Sequence, residues 1–259
     1  MRVAAIQCRL GDLKSAEKLA YRAYRQGSKI ILFPEYFSYS SLDIGLGNET
    51  LRFLKKVSSE TGTIVCGNII VKENNSYKNR AFILKDGEIM GYQDKIHPTR
   101  IERELGISCG HELNLINVDG LNIGILICAD ILYPELCRVA GLKGSELILN
   151  PVISFKQSEL PGKDYRFCLY FARAFDNCCA ILKSGGIGKT FTGKDAVGRS
   201  LIASVSGILA QSMDENGEEV VRADIDLLSL KKCREVNYSL SDRNVEAYRY
   251  LLKNKLYEK

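Results

Sequence analysis

The sequence predicts a layered α/β fold with a mixed β-sheet, and two observations carry that expectation. Short apolar runs of strand length alternate with segments of helical period through the first two thirds of the 259 residues, and hairpin signals fall among them. Parallel strands need crossover helices and antiparallel ones can be joined by hairpins, so the two signals together imply a mixed sheet. No linker, low-complexity segment or short repeat interrupts the chain, and residues 1–259 are expected to form one domain.

The elements follow in order. "RVAAIQC", bounded by Gly11 and Asp12, reads as a buried strand. From Leu13 to Gln26, Leu13, Ala16, Leu19, Ala20 and Ala23 recur at helical spacing, and Gly27 suits the C-terminal cap. "KIILFPE" is a second buried strand, stopped by Pro34. Thr50 to Ser59 reads as a helix and "TIVCGNIIV" as the next strand. "YKNRAFILKDGEIMGYQDK" alternates about Asp86-Gly87, a hairpin signal. His97 to Gly110 reads as a loop. "LNIGILIC" is a strand, and Pro134 to Gly141 a short helix with its proline in the first turn. After the strand "SELILNP", a helix is expected over Gly162 to Asn177, with Tyr165, Leu169, Ala172 and Phe175 along one face. "CCAILKS" is the next strand. Beyond Gly185 come the short strands "GRSLIASVSG", "ILAQSMD" and "EEVVRADID". Residues 227–259 are polar and partly helical without a core pattern, and read as a C-terminal tail.

Composition narrows the function classes. With 46% hydrophobic and 26% charged residues the chain is an ordinary globular protein able to bury a full core. The 36 basic and 31 acidic residues are interleaved, so the net charge of +5 points to no nucleic acid and no membrane as partner. "MRVAAIQCRL" has too short an apolar run for a signal peptide, and no later run would span a bilayer. Only His97 and His111 are present, which removes histidine-based metal sites. The nine cysteines are odd in number and show no C-x-x-C pair, so neither a zinc ribbon nor a redox pair is suggested. Thiols inside apolar runs behave as small hydrophobes, a usage that fits a reducing cytoplasm. No metal and no cofactor are expected.

Chemistry in open α/β folds gathers where strands end, and three polar groups stand at such places. Glu35 follows "IILFP", Lys95 ends the hairpin in "YQDKIH", and Cys128 ends "IGILIC". Singly, each has an ordinary structural reading: a turn acid, a solvated lysine, a packed thiol. As a set they are chemically coherent, because a thiol becomes a good nucleophile only beside a base or a positive charge. Glu35 can take the proton and return it to a leaving amine, while Lys95 stabilises the thiolate and the oxyanion of a tetrahedral intermediate. The backbone N–H of Ala129 is a second candidate oxyanion donor. The chemistry expected is amide hydrolysis through a thioester, without histidine.

These words and their spacing resemble the nitrilase superfamily of carbon–nitrogen hydrolases, which use a Glu-Lys-Cys triad. "ILFPEYF" is similar to the family's first motif, "YQDKIH" to its second and "GILICADILYPELCR" to its third; "NPVIS", "ARAFDN" and "GRSLIASVSG" also fit. The resemblance implies a four-layer α-β-β-α sandwich with mixed β-sheets, Glu35 as general base, Lys95, and Cys128 as nucleophile. It implies a second glutamate near the lysine, best matched by Glu102 with Glu104 as the alternative. Tyr36, Asp130, Tyr133, Ser154 and Phe155 are the substrate-binding candidates it suggests, Phe155 being readable also as core. It also implies a homodimer or larger homo-oligomer, with residues 227–259 packing at the interface.

Departures from the family pattern refine the expected substrate. Nitrile-hydrolysing members tend to have Trp then Glu after the cysteine, whereas Ala129 and Asp130 stand here and the chain has no tryptophan. That favours a small linear amide or an N-carbamoyl compound. Branches acting on carboxylated substrates often place arginine where Ile131 and Leu132 stand, leaving Arg100, Arg103 or Arg166 as substitutes. Cys109-Gly110 replaces a frequent Pro-Gly, and Lys183 or Ser184 lies near a frequent Asn. Two other classes remain open from sequence: a Cys-His hydrolase or transferase with His97 as base, and a non-catalytic binding member of the same fold.

Overall fold

The computed structural model of the chain describes residues 1–41, 45–155 and 166–252. In chain order these form β1 (Arg2–Gln7), α1 (Leu13–Arg25), β2 (Ile30–Leu32), α2 (Leu46–Thr61), β3 (Ile64–Glu73), β4 (Ser76–Lys85), β5 (Glu88–Asp94) and α3 (Arg100–Glu104). Then follow β6 (Leu115–Val118), β7 (Leu121–Ile125), α4 (Pro134–Lys143), β8 (Leu147–Val152), β9 (Ser154–Phe155), α5 (Arg166–Asn177) and β10 (Ala180–Gly185). The remainder is β11 (Gly188–Lys189), β12 (Asp195–Val197), β13 (Leu201–Ser204), β14 (Gly207–Gln211), β15 (Glu219–Asp224), α6 (Leu227–Val236) and α7 (Tyr238–Ser241).

Two six-stranded mixed sheets run β15-β1-β2-β3-β4-β5 and β14-β13-β10-β8-β7-β6, and a small third sheet runs β11-β12-β9. The parallel pairs are β1–β2, β2–β3, β7–β8 and β8–β10. Each is bridged by a helix (α1, α2, α4, α5), as parallel neighbours require. Alternation along the strands sets the layers. Val3, Ala5, Ile30, Leu32, Cys66 and Ile83 face Ile123, Ile125, Leu147, Leu149 and Leu182 of the other sheet. Ala4, Ile6, Ile31 and Val65 point the opposite way, onto Ala16, Leu19, Ala20, Leu54 and Val57 of α1 and α2. Behind the second sheet, Ile148, Ile181 and Ala203 pack on Cys137 and Ala140 of α4 and on Tyr170 and Ala174 of α5. The result is the α-β-β-α sandwich. Among the described residues no helix is long and apolar enough to cross a membrane.

Several elements differ from the sequence expectation. Helix α2 starts at Leu46, not Thr50, because Gly47 lets it approach β3: a Cβ there would sit 3.0 Å from the Ile70 carbonyl. A glycine lowers helical propensity, so the early start is hidden from a propensity reading. The segment from His97 to Gly110 holds α3, begun by a capping box in which Thr99 accepts from the Glu102 N–H and Glu102 accepts from the Thr99 N–H. Helix α5 is described from Arg166; Gly162 and Tyr165, expected in it, lie outside the described residues. Strand β7 ends at Ile125, before the cysteine. Cys178 and Cys233, 55 residues apart, form a disulfide where α6 returns against the end of α5, a pairing that local spacing does not reveal.

Candidate active site

Strand β2 runs parallel to β1 and β3, β7 runs parallel to β8, and β5 shares the direction of β3 through two antiparallel steps, so Glu35, Lys95 and Cys128 each follow the C-terminal end of a strand. Past β2, the Phe33 N–H still donates to the Cys66 carbonyl at 2.9 Å. Pro34 offers no donor, and Tyr36 takes the left-handed conformation (φ 52°), turning the chain away from the sheet. Lys95 is held at both backbone ends: its N–H donates to the Asn79 carbonyl (2.8 Å) and its carbonyl accepts from Gly110 (2.7 Å). Only glycine fits at 110, since a Cβ would lie 2.7 Å from the Asp94 carbonyl oxygen. Cys128 is also left-handed (φ 50°) and opens the 3-10 turn Cys128–Leu132. A non-glycine residue in that region is strained, and here the strain stands at the thiol.

The side chains converge on one buried ammonium. Lys95 Nζ donates to Glu35 Oε1 at 2.8 Å and to Glu102 Oε2 and Oε1 at 2.8 and 3.0 Å, with all three residues almost fully buried. Glu35 Oε2 accepts from the Ile153 N–H at 3.3 Å, and the Cys128 thiol lies 3.7 Å from the Ile153 carbonyl. Glu102 is further held by the Tyr36 hydroxyl (2.7 Å) and the Thr99 N–H (2.7 Å).

Two carboxylates sharing one lysine are driven in opposite directions. Burial pushes the Glu35 carboxyl above the ordinary range; Lys95 opposes this and the charge of Glu102 adds to it. Burial acts on Glu102 as well, but there Lys95, Thr99 and Tyr36 outweigh it and hold its carboxyl below the ordinary range. For Lys95, burial favours the neutral amine, yet the carboxylates of Glu35 and Glu102 keep it an ammonium. Burial, then the charge of Glu35, raises the Cys128 thiol, so it rests protonated. The arrangement divides labour: Glu102 is a fixed charge for the lysine and Glu35 a carboxylate ready to accept a proton.

A small cavity of about 120 Å³ opens on these groups, lined by Glu35, Tyr36, Lys95, Glu102 and Cys128, by Ile101, Ile153, Phe155 and Phe191, and by Thr99, Thr190 and Thr192. Of the expected residues, Tyr36 and Phe155 line it, and Ala129 adjoins the thiol in the 3-10 turn. Glu104 does not reach it; it is exposed and paired with Arg100. Three other substrate-binding candidates do not line the cavity. Asp130 is buried, and its carboxylate accepts from the backbone N–H groups of Ile96, His97 and Ile127, tying the lysine loop to the cysteine turn. Tyr133 is exposed and stacks on His97 with ring centroids 3.6 Å apart. Ser154 is buried between Ile153 and Phe155, which do line the cavity.

His97, the alternative base, is engaged by Asp130 and Tyr133 and does not line the cavity. Arg103 donates to the Pro98 carbonyl, Arg100 is exposed, and the Arg166 side chain lies outside the described residues. Lys183 and Ser184 are buried in β10, with the Ser184 hydroxyl donating to the Ile6 carbonyl. Cys109 is exposed. Sequence reasoning missed Asn68, Asn79, Thr190, Phe191 and Thr192. The last three arrive from the β11–β12 turn, far along the chain, and carry no local motif. Among the described residues no group of three or more His, Cys, Asp or Glu is placed to hold a metal ion.

A sequence model of the carbon–nitrogen hydrolase family matches residues 2–235. The chain is 26% identical over 258 residues to a nitrilase of Pyrococcus abyssi (strain GE5 / Orsay), covering 92% of each chain. It is 32% identical over 193 residues to the 2-oxoglutaramate amidase of Bacillus subtilis (strain 168), covering 73% of this chain and 72% of that one. Its fold superposes with a TM-score of 0.80, at 19% identity and over 96% and 95% of the two chains, on a variant amidase from Nesterenkonia sp. AN1. That structure has the acetamide moiety of fluoroacetamide added covalently at its active-site cysteine.

Proposed function

The chain belongs to the carbon–nitrogen hydrolase family, and from that premise we propose that it hydrolyses a small linear amide or N-carbamoyl compound through a thioester on Cys128. The observation that carries this reading is the Lys95 ammonium held 2.8 Å from both Glu35 and Glu102 beside the Cys128 thiol in one cavity. Glu35 takes the thiol proton as sulfur attacks the carbonyl carbon. The tetrahedral oxyanion is stabilised by Lys95 and the Ala129 N–H. Collapse breaks the C–N bond, with Glu35 returning the proton to the departing ammonia or amine. A water, deprotonated by Glu35, then attacks the thioester; sulfur leaves as the thiol and the acid is released.

The cysteine adduct of the Nesterenkonia amidase supports the role given to Cys128. A cavity of about 120 Å³ supports a small substrate, since drug-sized ligands need roughly 300–1,000 Å³. Among the described lining residues Lys95 is the sole cation and is already engaged by two carboxylates, which favours a neutral substrate over an acidic one. Ala129 beside the thiol, in a chain without tryptophan, favours amides over nitriles. The chain acts, on this reading, without cofactor and as a homodimer of single-domain subunits. An ammonia-release screen over ω-amides, carbamoyl amines, carbamoyl amino acids and nitriles tests it. At least one neutral amide or carbamoyl compound should turn over, and Cys128→Ala should abolish that turnover while leaving the circular dichroism spectrum unchanged. Full activity in that variant would falsify the mechanism.

A further inference from the structure

Asn79 touches both carboxylates. Its Nδ2 lies 2.9 Å from Glu35 Oε1 and 3.0 Å from Glu102 Oε1, the two oxygens that Lys95 also contacts. Its carbonyl accepts the Lys95 N–H, so one residue of β4 holds the lysine through its backbone and the acids through its side chain. Asn68 stands diagonally across the β3–β4 pair, opposite Ala81, while Asn79 is opposite Ile70; two residues apart on one face, such side chains can meet. Asn68 Nδ2 donates to Asn79 Oδ1 at 2.6 Å, and Asn68 Oδ1 accepts from the Tyr36 N–H at 2.7 Å. Both amides are buried.

The direction of this chain is fixed at its two ends. A backbone N–H can only donate, so the oxygen of Asn68 must face Tyr36 and its NH2 must face Asn79. The oxygen of Asn79 is thereby claimed, and its NH2 must face the carboxylates, which only accept when ionised. We propose that Asn79, oriented by Asn68, is a positioning residue that keeps Glu35 and Glu102 fixed against Lys95 and Glu35 competent as a base. This rests on Glu35 serving as the base for Cys128, as above. With that donor removed, the charged form of Glu35 is less favoured and keeps its proton to higher pH.

The test follows alkylation of Cys128 by iodoacetamide, read by peptide mass mapping across the acid pH range, and so needs no knowledge of the substrate. Compared are the wild type, Glu35→Gln and two uncharged variants of similar size, Asn79→Leu and Asn68→Leu. In wild type the rate should rise with pH to a break set by Glu35, and Glu35→Gln should lose that break, leaving a slower rate that climbs with the thiolate alone. Asn79→Leu should move the break up by about one pH unit, a rate about tenfold lower on the limb. Asn68→Leu, which releases the Asn79 amide to invert, should move it in the same direction by less. A merely structural role would lower the melting temperature and leave the limb in place. An unchanged profile in both asparagine variants, with Glu35→Gln still losing the break, overturns the proposal and leaves the base assignment standing. An unchanged profile in Glu35→Gln overturns that assignment and the proposal with it. Failure of both asparagine variants to fold assigns the pair to the scaffold and also overturns it.

Discussion

Burial raises the thiols of Cys8, Cys66, Cys137 and Cys179 as it does that of Cys128, Cys137 being pushed up to about 12. An elevated thiol therefore does not mark the reactive one; the carboxylate and ammonium beside it do. The same contrast separates the two glutamates. Glu35 must be ionised to accept a proton, and its folded pKa is raised, so the base is lost as pH falls through a value above the ~4.3 of a free glutamate. The acid limb of kcat/KM should lie there. The charge of Glu102 contributes to that elevation, so Glu102→Gln should shift the limb to lower pH while reducing kcat, whereas Glu35→Gln should cost roughly 10²–10⁴ in kcat. A pH profile on any substrate from the screen decides it; a limb unmoved in Glu102→Gln would refute the division of roles. Glu35 and Cys128 were legible as polar groups ending apolar runs, and Lys95 as the residue ending a hairpin. The place of Asp130 was not legible, because nearness in sequence does not fix where a side chain points: its carboxylate turns to backbone donors.

At the scale of elements, the strands that carry the three motifs were readable from apolar runs and turn residues, and the alternation within them set the layers. Helix α3 was not, although Thr99 and Glu102 stand three apart as a capping box requires, because its single turn lacks apolar periodicity. Its cap has a second consequence, since the Glu102 oxygen that closes the box also accepts from Lys95. The small sheet β11-β12-β9 was unreadable in another way, its strands being two or three residues long. Helices α4 and α5 and the tail leave Val139, Leu142, Phe171, Phe175 and Tyr238 exposed. Apolar surface so grouped supports burial against a second copy. Sedimentation velocity should therefore give twice the monomer mass, with Phe175→Glu shifting it toward monomer; a monomeric wild type at micromolar concentration would contradict the dimer.

In the whole molecule, two mixed sheets pack face to face and bring strand ends from both halves of the chain to one cavity. Glu35 and Lys95 come from the first sheet and Cys128 from the second, so base and nucleophile meet only when the layers close. Residues such as Phe191 and Thr192, which complete the cavity from beyond β10, are placed by that closure and by no local pattern. The meeting of base and nucleophile is expected to produce an acyl-enzyme on Cys128. The most direct measurement is acid quenching of the protein during turnover of an amide identified by the screen, followed by intact-mass analysis and peptide mapping. A mass gain equal to the substrate less ammonia or amine is expected, carried by the peptide containing Cys128 and absent in Cys128→Ala. A covalent gain on any other residue, or turnover that persists without Cys128, would contradict it.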